Sequence, residues 1–226
     1  MGNNFSQFDV PGFVNTSIGG VNNVGDFAGG VTDATGFNQG FVSLGGTITP
    51  FSIPGATFTY AYQLNSSNQL EGYYIDRSGI LHGYLRDADG TLHFPIDPPG
   101  STLTILFGNN DTNWMVGRYT DSAGTTHGLF FLPPDIFFTF DYPGSTFTSF
   151  NGINAQGFIC GRYTDASGID HGILAHVTGV PRVNEADTEI EWNDSRSLAT
   201  ATNPPSLVAR PLNPSPLALE DSMPAR

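Results

Sequence analysis

A segment of 43 to 45 residues is written four times in this chain, and no other feature limits its fold as strongly. Pro-Gly pairs begin at Pro11, Pro54, Pro99 and Pro143, an Asp recurs at Asp33, Asp76, Asp121 and Asp165, and Gln39, His82, His127 and His171 mark a third position. All three landmarks advance by the same steps of 43, 45 and 44. Thr16, Thr59, Thr104 and Thr148, then Asn22, Asn65, Asn110 and Asn154, then Gly29, Gly72, Gly117 and Gly161 keep the same register. Landmarks that move together define tandem structural units, each unable to bury its apolar faces alone.

Every unit reads as four short antiparallel strands. In the last one "STFTSFNGI", "FICGRYT" and "IDHGILAHV" are strands separated by the turns "NAQG" and "DASG"; in the third, "GLFFL" and "IFFTFDY" flank "PPD". Asp-x-x-Gly suits a type I turn, with Asp accepting a backbone N–H and Gly in fourth place. Strands such as "HGLFFL" are apolar on both faces, which calls for sheets covered on both sides. The architecture this predicts is all-β: a small β-propeller of four blades, four antiparallel strands each. A parallel β-solenoid is the alternative. The fourth unit never writes a fourth strand, and the chain opens on "FSQFDVPG", so the N-terminal strand is expected to close the last blade. The glycines at 29, 72, 117 and 161 are read as points of close approach between neighbouring sheets. Residues 1–178 form the propeller in this reading. Residues 179–226 are Pro-rich and read as a disordered tail, with "NEADTEIEW" as a candidate helical turn or edge strand.

The string from Gly152 to Gly172, G-I-N-x-x-G-x-x-x-G-x-x-x-D-x-x-G-x-x-H-G, resembles the HAF-type extracellular repeats of bacteria. The resemblance covers residues 8–177, with His-Gly in place of His-Ala and Gln39 in place of the first His. It implies a secreted or surface β-propeller-like protein, and it offers no catalytic residues to carry over.

Composition narrows the partners. The net charge is −13, with no Lys, so phosphate backbones and anionic membranes are repelled and neither nucleic acid nor membrane insertion is expected. No apolar run is long enough to span a bilayer. The start lacks a signal-peptide pattern, and "MGNNFS" fits a myristoylation motif only superficially. Cys160 is the single cysteine, which rules out a disulfide framework and reads as a small core residue.

The Asp series offers oxygen ligands for calcium, the His series imidazoles for a transition metal, and the Thr and Asn series a polar ring near the axis. Turn chemistry and strand anchoring account for all of them more simply, so Asp33, Asp76, Asp121, Asp165, Asn22, Asn65, Asn110, Asn154, His82, His127 and His171 are read as scaffold, and no metal, cofactor or catalytic residue is assigned. Function is sought where units disagree: Tyr60, Tyr62, Tyr73, Trp114, Arg118 and Arg162. Exposed rings beside polar groups suit sugar recognition. The expected function is a non-enzymatic binding module, with a polysaccharide or a surface protein as partner. The alternatives are an interaction scaffold, or a hydrolase or lyase with a site near the axis.

Overall fold

The computed structural model describes residues 5–178 and Ser206–Ala209. It is all-β, with no helix among the described residues. Unit one contains β1 (Asn15–Val21), β2 (Phe27–Thr32), β3 (Asn38–Leu44) and β4 (Thr47–Phe51); unit two contains β5 (Phe58–Leu64), β6 (Leu70–Ile75), β7 (Leu81–Arg86) and β8 (Leu92–Ile96). Unit three contains β9 (Leu103–Asn109), β10 (Met115–Thr120), β11 (Thr126–Leu132) and β12 (Ile136–Phe140), and unit four β13 (Phe147–Ile153), β14 (Phe158–Thr164) and β15 (Asp170–Thr178). Within each unit successive strands pair antiparallel. Single parallel bridges, Asn38 to Phe58 and Thr126 to Phe147, join units one with two and three with four into two eight-stranded sheets.

The turns follow the sequence chemistry. Gly36, Gly79, Gly124 and Gly168 donate back to the carbonyls of Asp33, Asp76, Asp121 and Asp165 at 3.0–3.2 Å, and each lies at φ between +81° and +87°, where only glycine is unstrained. The glycines at 29, 72, 117 and 161 have a different job from the one expected. A Cβ there would run into the carbonyls of Ser17, Tyr60, Ile105 and Ser149, which belong to the first strand of the same unit. The first strand carries a β-bulge beside this point in every unit, and the bulge presses its backbone against the second strand.

Units stack face to face. Val42, Leu85 and Phe130, at one repeat position, are buried against the following unit, and Ala61, Leu106 and Phe150, at another, against the preceding one. Among the described residues neither end is covered. Ile18, which holds the place of Ala61, Leu106 and Phe150, is 50% exposed, and Leu174, which holds the place of Phe130, is 37% exposed. Cys160 is exposed too, contrary to its reading as a core residue, because it lies on this open side of unit four.

The expected closure by the N-terminal strand is therefore corrected. Residues 5–10 form no strand; Phe8 packs edge-on to Phe27 at 4.9 Å and stacks on Phe41, and Val10 is buried with Val31 and Phe41 of unit one. The neighbour of β15 is instead β16 (Ser206–Ala209), antiparallel along Ala175–Thr178. Four residues of the segment read as tail thus belong to a sheet. The rest of 179–226, "NEADTEIEW" included, lies outside the described residues.

Candidate functional site

Two kinds of turn occupy the two ends of the units. At one end Asp121 Oδ1 accepts from the N–H of Ala123 and of Thr125, both at 2.9 Å, and its second oxygen faces His127 Nε2 at 3.3 Å. His127 Nδ1 lies 2.8 Å from Asp141, so the ring clamps the turn to the stretch just before the next Pro-Gly. His82 repeats this with Asp76 and Asp97, and His171 contacts Asp165 at 3.2 Å. In unit one Gln39 bonds Ser52 and Thr35 supplies a hydroxyl to Asp33. Backbone donation from Ile80, Thr125 and Ile169 holds Asp76, Asp121 and Asp165 below the usual carboxylate range, and Thr35 does the same for Asp33. Burial pulls His127 down, but Asp141 and Asp121 outweigh it and its basicity is raised. These contacts tie loops to strands. Among the described residues no group of three or more His, Cys, Asp or Glu is arranged to hold a metal ion.

At the other end each Asn caps a turn, and the first three also reach the next unit. The Oδ1 caps its own turn, as Asn110 does for Thr112 and Trp114, both at 3.0 Å. The Nδ2 donates to the next unit's Asn carbonyl: Asn22 to Asn65 at 3.2 Å, Asn65 to Asn110 at 3.2 Å and Asn110 to Asn154 at 2.9 Å. The four turns border one basin of about 220 Å³. The Thr series points elsewhere. Thr16, Thr59 and Thr148 accept from the N–H of Val10, Ile53 and Tyr142, holding the chain that enters each unit. At the matching place in unit three Pro98 has no N–H, and Thr104 contacts Ser101 instead.

Five of the six residues singled out for binding come together. Tyr60 and Tyr62 meet edge-on at 4.9 Å, Tyr73 lies 5.9 Å from Tyr62, and Phe58 stacks on Tyr73 at 5.4 Å. Tyr62 continues to Phe107 at 5.0 Å. Arg118 sits over Phe107 and Phe147, at 5.4 and 5.6 Å, and Arg162 over Phe147 at 4.3 Å. The result is a ribbon of half-buried rings and guanidinium groups crossing units two, three and four. It stops at unit one, where Gly30 stands in the place of Tyr73, Arg118 and Arg162: a Cβ there would lie 2.5 Å from the Tyr60 ring. A cleft of about 140 Å³ opens at that end, lined by Ser17, Asn38, Gln39, Phe58 and Tyr60 among others.

Arg162 is bonded to Asp170 at 2.7 Å, whereas Arg118 has no carboxylate partner among the described residues. Burial, and the like charge of Arg162, lower its basicity. Burial also pushes the Tyr62 hydroxyl up and that of Tyr73 to about 12, helped by neighbouring tyrosines, so both remain hydrogen-bond donors at neutral pH. Trp114 lies apart, packed on Phe130 at 5.8 Å and under Gly157.

Sequence reasoning missed Phe58, Phe107 and Phe147, because phenylalanine in an apolar strand carries no signal of exposure. It also missed Glu71, fully buried between units two and three with neither carboxyl oxygen hydrogen-bonded. Burial pushes Glu71 well above the usual carboxylate range, and the nearby N–H groups of Glu71 and Gln63 offset this only partly. The signal was its place in the register, which holds Ala28, Val116 and Cys160 elsewhere. No family model matches this chain, and no curated protein is significantly similar to it.

Proposed function

We propose that the four units are blades of a propeller-type array, and that the array is a non-enzymatic module binding a polysaccharide that carries carboxylate groups. The observation behind this is the continuous Tyr–Phe–Arg ribbon, in which Arg118 has no carboxylate partner among the described residues, on a chain of net charge −13. Sugar rings stack on half-exposed tyrosines, tyrosine hydroxyls donate to sugar oxygens, and, at an ionic strength that screens the chain's net charge of −13, a guanidinium receives a carboxylate at close contact. The cleft beside Tyr60 has room and polar groups for one end of the ligand. A shallow ribbon buries little of each sugar, so affinity per contact is modest and useful retention needs several contacts along one polymer. The HAF-type resemblance fits a secreted or surface setting.

Retention on immobilised polyuronate and neutral polysaccharide tests the proposal. Polyuronate should retain the protein, and Tyr62→Ala and Arg118→Gln should each weaken retention about tenfold or more while the melting temperature stays close to that of the parent. Trp114→Ala should leave retention intact and lower the melting temperature instead. If the acidic polymer does not retain the parent protein, the binding assignment fails. The second reading, a protein-interaction scaffold, is favoured by the uncovered apolar ends.

A further inference from the structure

The two uncovered ends complement each other, because the three junctions inside the chain specify what each end lacks. At those junctions Val42, Leu85 and Phe130 meet the next unit; Leu174 at the same position faces no further unit among the described residues. From the other side Ala61, Leu106 and Phe150 are buried, and Ile18 is not. Gly172 shows the vacancy most directly. A Cβ on Gly83 would touch the Ile96 carbonyl and Leu106, and one on Gly128 the Phe140 carbonyl and Phe150, while one on Gly172 would touch nothing within 4 Å. The missing neighbours are a fourth strand and a residue in the Ile18 position.

The polar ladder stops at the same places. Among the described residues Asn154, which has the Nδ2 that Asn110 uses, meets no following carbonyl, and the Asn22 carbonyl receives no preceding amide. The backbone register agrees. Gly40 pairs with Phe51, Gly83 with Ile96 and Gly128 with Phe140, and the same repeat step sets Phe8 opposite Gly172. β16 pairs only from Ala175 onward, which leaves Gly172–Leu174 with a free edge among the described residues.

We infer that two copies of this chain associate head to tail: unit one of one copy covers the open face of unit four of the other, with residues 5–8 as the strand beside Gly172–Leu174. Ile18 then lies against Leu174 and Gly172, and Asn154 donates to the Asn22 carbonyl of the second copy. The contact is heterologous, so it generates a closed ring or a filament according to the rotation per copy.

Sedimentation velocity on the full chain, from low to high micromolar concentration, tests this with Ile18→Asp and Leu174→Asp. Both positions are exposed in the single chain, so neither change burdens folding. Gly172→Val, which fills the vacant seat, is an independent third variant. The parent protein should sediment as more than one chain, and each variant alone as a single chain with an unchanged melting temperature. An equimolar mixture of Ile18→Asp and Leu174→Asp should give particles of two chains, since one intact head meets one intact tail. A parent protein that stays single at every concentration overturns the inference. So do variants that still associate, or a mixture that does not.

Discussion

Asn110 and Asp121 open turns of the same geometry, each capping the backbone N–H groups two and four residues on. What separates an amide from a carboxylate here is the remaining atom. At the Asn turns of the first three units it faces the next unit's carbonyl and must donate; at the Asp turns of the last three it faces an imidazole and accepts. Asn110→Asp keeps the cap but sets an oxygen against the Asn154 carbonyl in a buried place, at a cost of roughly 1–3 kcal/mol. Asn154→Asp keeps the cap and loses no such partner in the single chain, so it should cost clearly less. Urea denaturation of both variants, under conditions where the chain is single, decides the point: equal losses would mean that the ladder contributes nothing.

Between sheets the telling contact is the junction of units two and three, where Glu71 occupies a position that is Ala28 and Val116 in the flanking units. Its folded-state basicity is raised above 4.5 by burial. The folded state therefore prefers the protonated form; stability is highest below the unfolded value of 4.5 and falls as pH rises toward the folded value. Glu71→Val should remove that slope and raise stability at neutral pH by about 1–3 kcal/mol, the cost of an unsatisfied buried polar group. Chemical denaturation from pH 4 to pH 8 checks it, and a wild-type slope retained in the variant would assign the pH dependence elsewhere. At this scale the sequence was most readable. Asp-x-x-Gly turns and Asn turns closed by Gly or Asn fix strand ends by local chemistry, so "FICGRYT" and "IFFTFDY" appear as β14 and β12 almost residue for residue. Less readable was anything set by the angle between units. Self-similarity says which strand fits beside β15, and Phe8 keeps on Phe41 the packing that Phe51 has on Tyr84, yet it does not say that unit four stays out of reach of that strand. "SLVA" at β16 carries no landmark at all. Departure from the repeat flagged Tyr62 and Trp114 equally, and only the direction of each side chain separates ribbon from packing.

Across the whole molecule, stability should follow the number of covered faces. Stacked units gain most of their stabilisation from nearest-neighbour junctions, so units two and three have two such junctions and units one and four have one. Open arrays of repeats normally end in polar caps. Here the outer faces carry Ile18 and Val21 at one end and Leu174 at the other. Amide exchange in dilute solution should therefore be slowest in β6 and β10, the middle strands of the inner units, and faster in β2 and β14. The contrast should be large at β15, whose Gly172–Leu174 edge lacks a partner strand among the described residues. Raising the protein concentration should slow exchange selectively at β1 and β15 if copies join through the ends, leaving β6 and β10 as they were. Exchange measured by mass spectrometry on short peptides separates these strands. Uniform protection across all four units would show that the repeats unfold as one cooperative block, and the gradient expected from counting junctions would be wrong.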